Sequence, residues 1–420
     1  MRSAIAKNAI FLYGLTFSNY FVGLLLFPYL SRVLSVEGFG LIGFSTSLCL
    51  VFQMIVEYGF QISTTATVSV NRDDKERVSQ IISTMTYAKL VLSVIACAGF
   101  AFCAFAMSSV REHLLVVSIF LADSIVKALL PDAYFRGIER MKDITIRALT
   151  AKSGILIITL LLVKSDKTLI LYPLSMLLCD SLALLWAFSL IKRDGIHATK
   201  IDVHEILSIM KESFWFFISR ISVSINGSLG SIFLGTKFSP NSVEMGLYSG
   251  ATRISTAGEQ MVPPIGDALY PAIMRRKDYR LFRRILMLGG LVWAAVCAFV
   301  AIFATPLCVF ILGSQYQQAG LYLRILMIGV FVGYFSYMFG YPALSPIGKA
   351  FWANLAIMVA AAINLTVCTI LWVTNNVTPL TVCCVFASTN IWTFIIRYTA
   401  FRYFKKLTIA DTDNDIKETR

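Results

Sequence analysis

Among the polar and charged residues that interrupt the long apolar stretches of this chain, eleven are the candidates for chemistry. The cations are Lys127, Arg220 and Arg253. The carboxylates are Glu57, Asp123, Asp180, Glu259 and Asp267, and the amides are Asn19, Asn226 and Asn364. A charge at membrane depth is costly and is kept where it faces a cavity or a partner. Arginine offers phosphate a bidentate hydrogen-bond pair that lysine does not match. Arg220 and Arg253, each about two turns into its apolar run, therefore point with Lys127 to a cationic cavity for an anionic headgroup, with Asn226 and Asn19 as neutral contacts. Asp123, Asp180 and Glu57 are the groups that could take up a proton or cation and couple it to movement. Plainer readings stand beside these. Asp123 and Lys127 are four apart on one helix and would neutralise each other. Glu57 and Asp267 lie near the ends of their runs, and Arg220 and Arg253 could snorkel to the interface.

The elements that must carry these residues are helices. A helix needs about 20 apolar residues to cross a bilayer. Twelve stretches qualify, at roughly 9–31, 40–62, 81–107, 113–131, 147–163, 169–190, 214–236, 246–268, 285–311, 324–346, 351–373 and 379–400. Backbone polar groups in lipid must pair internally, and these runs are too long and too uniformly apolar for barrel strands. Hydrophobic residues make up 57% of the 420, against 15% charged, where a soluble domain carries about a quarter charged. The fold class expected is an all-α integral membrane protein with 12 transmembrane helices.

Lys and Arg orient it. With the N-terminus cytoplasmic, 28 of the 37 fall in inside loops and tails. Six fall outside (Arg32, Arg111, Lys164, Lys167, Lys237, Arg324), and three lie within spans. Both termini are then cytoplasmic. The net charge of +13 follows from this asymmetry and from attraction to anionic lipid, so nucleic acid is not expected as a partner. The first apolar run lacks a following small-residue cleavage site, so no cleavable signal peptide is expected. All nine cysteines fall in apolar runs without metal-ligand spacing and read as packing residues. No metal or cofactor is expected.

The chain looks duplicated. Ser35-Val36-Glu37-Gly38-Phe39-Gly40-Leu41 resembles Ser242-Val243-Glu244-Met245-Gly246-Leu247. Pro131-x5-Gly137 matches Pro342-x5-Gly348 at nearly the same offset. Six spans per half make the repeats parallel, a design for two bundles that rock about a central path. The expected division is an N-terminal bundle over 1–190, a cytoplasmic linker over 191–213, a C-terminal bundle over 214–406 and a polar tail over 407–420. The linker carries an amphipathic pattern (Val203, Ile206, Leu207, Ile209, Met210), which suggests an interfacial helix. Pro263-Pro264 must break the hydrogen-bond ladder of the eighth span. There is no phosphate loop, no H-E-x-x-H, no G-x-S-x-G, and no sizeable extramembrane region for catalysis. An enzyme is therefore not expected.

Four segments carry a family resemblance. They are Pro28-Tyr29-Leu30-Ser31-Arg32-Val33-Leu34 followed by Gly38-Phe39-Gly40; Tyr134-Phe135-Arg136-Gly137-Ile138-Glu139-Arg140-Met141; Gly246-Leu247-Tyr248-Ser249-Gly250-Ala251-Thr252-Arg253-Ile254; and Gly313-Ser314-Gln315-Tyr316 with Leu323-Arg324-Ile325-Leu326. The chain resembles the bacterial polysaccharide repeat-unit (O-antigen) flippases. Their superfamily includes the multidrug and toxin extruders and the lipid-linked peptidoglycan precursor flippase. The resemblance implies a V-shaped, two-bundle transporter of the bacterial inner membrane. It would move undecaprenyl-diphosphate-linked oligosaccharide units from the cytoplasmic to the periplasmic leaflet, with membrane lipids around it and a polysaccharide polymerase and chain-length proteins as partners. Two extra helices usual in the peptidoglycan-precursor flippase are absent. A cation-coupled exporter of drugs or metabolites shares the fold, and Asp123 and Asp180 keep that reading open. A third reading is a non-transporting scaffold for a synthesis complex.

Overall fold

The computed structural model describes residues 22–23, 25–200, 202–266, 273–274 and 279–418, with side chains to residue 405. All regular structure among them is helical. The chain divides into two compact units: residues 1–224 with 238–246, and residues 225–237 with 247–420.

In the first unit, α1 runs over 25–33. It is followed by α2 (Val36–Glu57), α3 (Phe60–Val70), α4 (Lys75–Ala106), α5 (Ser108–Glu112) and α6 (Leu114–Leu129). Then come α7 (Asp132–Gly137), α8 (Met141–Leu162), α9 (Leu171–Arg193) and the start of α10 (Val203–Lys237). The second unit holds the end of α10, most of α11 (Val243–Glu259) and a turn, α12, at 263–266. It continues through α13 (Tyr279–Ile302), α14 (Ala304–Leu312), α15 (Ala319–Met338), α16 (Tyr341–Leu344), α17 (Ala350–Val373) and α18 (Pro379–Glu418).

Ten helices among the described residues are long and apolar enough to cross a membrane, where the sequence suggests twelve. The first expected span, 9–31, lies mostly outside the described residues. The eighth is cut short: α11 ends at Glu259, and residues 260–262 leave the helix just before Pro263-Pro264. A proline removes a donor and disfavours helix in the residue before it. The amphipathic linker pattern is helical from Val203, but it continues without a break into the following span as one 35-residue helix. No proline or glycine interrupts it before Gly227.

The repeated segments fold alike. Ser35 Oγ accepts from Gly38 N at 3.0 Å and starts α2. Ser242 Oγ accepts from Met245 N at 3.3 Å at the start of α11. Both are N-cap bonds, which satisfy a donor the helix leaves open. Residues 238–246 pack into the first unit, where a Cβ on Gly246 would collide with the carbonyl of Val36 and one on Gly40 with the backbone of Gly246. The glycines of the repeat are there because two backbones touch. The Pro131 and Pro342 segments also correspond, each forming a short helix after the end of a long one.

Candidate functional site

A cavity of about 340 Å³ opens within the first unit. Five cations line it (Lys89, Lys127, Arg136, Arg147 and Lys152) against three carboxylates (Glu57, Asp132 and Asp180). The surplus is positive, and local geometry explains how each charge is held.

Pro131 ends α6, so the carbonyl of Leu130 loses its helical partner. Tyr134 N bonds Pro131 O instead. Lys89, 3% exposed, donates to the freed Leu130 carbonyl at 3.2 Å. Asp132 sits in the first turn of α7, where a carboxylate suits the helix dipole. It receives the guanidinium of Arg147, itself 3% exposed. Residues 144, 147, 148, 151 and 152 of α8 all line the cavity. That spacing is one helix face, with Ala148 and Ala151 leaving room between the cations. Gly137 lets α7 lie against α3, since a Cβ there would meet Val68. The turn after α7 is pinned by Arg140, which donates to Asp143 and Asp194 at 2.6 Å each, and by Tyr134 donating to Asp194 at 2.8 Å.

Lys127 is shared between two acids, Asp123 at 2.7 Å and Asp180 at 3.4 Å. Arg220 lies 3.5 Å from Glu57 and donates to Gln61 at 2.9 Å. Both of those partners line the cavity, so Arg220 stands at its rim, with its side chain 43% exposed. The remaining cations are less committed. Among the described residues Lys89, Arg136 and Lys152 form no ion pair, and Arg136 Nε and Arg147 Nη1 are buried without a hydrogen-bond partner. Buried donors are normally paired. The positively biased cavity that both arginines line suits a ligand with several acceptor oxygens.

Of the residues expected from sequence, the structure brings together Lys127, Asp123, Asp180, Glu57 and Arg220. Asn226 and Arg253 belong to the second unit, and Asn19 and Asp267 lie outside the described residues. Asn364 Nδ2 donates to Asn226 Oδ1 at 3.0 Å and also to Thr389, and Asn364 Oδ1 is left buried without a partner. Glu259 accepts from Asn390 at 2.8 Å. Arg253 is half-buried on α11. Sequence reasoning missed Lys89, Arg136, Arg147 and Lys152, which it sorted with the cytoplasmic loop charges. Lys89 lies about four turns inside α4, and its position in an apolar run was the available signal. For Arg147 and Lys152 the signal was the Ile144-Arg147-Ala148-Ala151-Lys152 stripe.

The chain is a multi-pass helical membrane protein with a cationic cavity in its first unit. The model of the family described as polysaccharide biosynthesis protein matches residues 5–277, and the chain belongs to that family. It is 26% identical over 330 residues to the "Putative O-antigen transporter" of Escherichia coli (strain K12), covering 77% of this chain and 79% of that one. A protein of Shigella dysenteriae with the same description is 24% identical over 330 residues, at 77% and 81% coverage. Among solved structures, the lipid II flippase MurJ in an inward closed conformation is similar at a TM-score of 0.72 and 14% identity, covering 94% of this chain and 87% of that one. An inward-facing multidrug resistance transporter of the MATE family is similar at 0.65 and 15% identity, covering 93% and 96%. The chain shares the fold of these solved structures.

Proposed function

We propose that the protein flips lipid-linked oligosaccharides. It moves undecaprenyl-diphosphate-linked, O-antigen-type repeat units from the cytoplasmic to the periplasmic leaflet of the bacterial inner membrane, with both termini cytoplasmic. The observation that carries this reading is the cation surplus of the first-unit cavity, three of whose cations have no carboxylate partner. A diphosphate presents many acceptor oxygens and needs several cations at once. Arg220 at the rim captures it, and Lys89, Lys127, Arg136 and Lys152 hold it. Arg253 and Asn226 are further substrate contacts. The sugars occupy the hydrated space and the polyprenyl tail stays in lipid. The product passes to the polymerase and chain-length proteins. Asp123, Asp180 and Glu57 are the coupling groups. With Lys127 held between two acids, a proton taken up by either releases the lysine toward the ligand.

The test is a strain lacking the protein. Surface polymer should be lost, with intact repeat units accumulating on the cytoplasmic face. The wild-type gene should restore export, and an Arg220→Ala, Arg253→Ala double variant should not. Normal polymer with altered drug tolerance would support the cation-coupled exporter instead. The observation that favours that second reading is the Asp123–Lys127–Asp180 cluster, and Asp123→Asn and Asp180→Asn would then be the damaging changes.

A further inference from the structure

We propose that a second groove of the first unit, formed where α4 begins and α9 ends, binds an anionic phospholipid. The groove encloses about 330 Å³. Its walls are Ile82, Tyr87, Phe188, Ile191 and Ile196. The polar atoms in these walls are already committed. Ser83 Oγ accepts from Thr199 N at 3.1 Å and donates to the His197 carbonyl at 3.4 Å. Thr86 Oγ1 donates to Ile82 O at 2.7 Å, and Tyr87 OH to Thr199 O at 3.2 Å. Such walls give a hydrophilic ligand nothing to bond, and they suit an acyl chain.

The rim is different. Lys192 and His197 line it, both are exposed, and neither side chain has an ion pair or hydrogen bond among the described residues. Lys192 and Arg193 form the last turn of an apolar span, the depth at which basic residues meet lipid headgroups. Apolar walls below and unpaired positive charge at headgroup level match one occupant, a phospholipid with a net negative headgroup. Its chain would lie along Ile82 and Phe188 and its phosphate would meet Lys192. The groove includes residues 196–198 of the segment joining α9 to α10, so the lipid would brace that joint. This site shares no lining residue with the cationic cavity and does not depend on the substrate proposed above.

Purified full-length protein, exchanged into detergent with either phosphatidylglycerol or phosphatidylcholine of identical chains, is read by native mass spectrometry. The wild type should retain phosphatidylglycerol about fivefold better, the worth of one lysine beside an anionic headgroup. Lys192→Glu, a change at an exposed position that leaves the core untouched, should abolish the preference, and Lys192→Arg should keep it. Ala198→Trp, which fills the groove, should lower retention of both lipids. Equal retention of the two lipids by the wild type overturns the proposal. So does a preference that survives both Lys192→Glu and Ala198→Trp, because it would then belong to the rest of the basic face.

Discussion

Arg147 in the first unit and Arg397 in the second are buried to similar depth, 3% and 7% exposed, and they are held in opposite ways. Arg397 donates from Nε and Nη2 to the Ala353 carbonyl at 3.2 and 2.8 Å, and from Nη1 to the Ser336 carbonyl at 2.8 Å. Each of its nitrogens meets backbone, and it ties α18 to α15 and α17. Arg147 meets one carboxylate, Asp132, and leaves Nη1 unpartnered beside a cavity. Burial of a charge in a membrane helix therefore does not by itself mark a site. Unused hydrogen-bonding capacity does. By that measure the second unit spends its buried arginine on structure, and the first keeps its cations in reserve.

The comparison breaks most visibly if the reserve is removed. Arg136→Gln with Lys152→Gln should abolish export of surface polymer while the purified protein unfolds at the wild-type temperature. Among the described residues neither has an ion-pair partner to orphan. Each lost charge-assisted bond to a diphosphate costs about 1.5–3 kcal/mol, so the pair should lower transport more than a hundredfold. Full polymer in the double variant would show that the cavity does not carry the ligand. Asp132→Asn tests Arg147, a cation of the cavity that is already paired with a carboxylate. It leaves Arg147 buried beside a neutral amide, at a cost of about 3–5 kcal/mol, read as a lowered unfolding midpoint. Adding Arg147→Met should recover part of the loss, because the uncompensated charge is then gone. A variant as stable as wild type would mean that water, rather than Asp132, already satisfies Arg147.

Arg397→Lys sharpens the other side. A lysine cannot reproduce the fork that spans Ala353 and Ser336. Leaving one carbonyl unpaired should cost about 1–3 kcal/mol. Transport per folded molecule should be unchanged, which separates this arginine from those of the cavity.

The helical class and the repeat were legible because lipid imposes them. Runs of about 20 apolar residues have no other stable form, and the repeated Ser-Val-Glu pattern reappears as two matching N-caps. The pairing of Asp123 with Lys127 was also legible, since i,i+4 spacing on one helix forces a meeting, whereas the approach of Asp180 from α9 was not. What stayed hidden is how bends redistribute charge. Pro131 was visible, but that it frees the Leu130 carbonyl for a lysine 41 positions earlier depends on how α4 packs beside α6. Arg136, Arg147 and Lys152 lie within a few residues of a predicted loop, and a positive-inside count cannot tell a loop charge from one that turns back into the bundle. Arg220 and Arg253 looked equivalent by depth, yet they fall in different units, and Arg220 stands beside the first-unit cavity through Glu57 and Gln61.

The smallest effect is expected at Glu205, a half-buried carboxylate whose arginine partner is exposed. It lies in the first turn of α10 and accepts from Arg77 at 2.9 Å, Gln80 at 2.7 Å and Thr84 at 3.2 Å. This anchors the start of α10 to α4. Arg77 is 46% exposed and Glu205 27%, so water screens the pair, and Glu205→Ala should cost only about 1 kcal/mol. Glu205→Gln keeps acceptors for Gln80 and Thr84 and should lose less. Salt separates the exposed and buried cases. At 1 M the screening length is about 3 Å, so high salt should erase most of the stability difference between wild type and Glu205→Gln. The Asp132→Asn deficit should remain, because the Arg147 side chain, 4% exposed against 46% for Arg77, is shielded from the ion atmosphere. If both deficits disappear in salt, the Arg147–Asp132 pair is open to solvent, and the distinction between reserved and spent charge would have to be redrawn around water instead of burial.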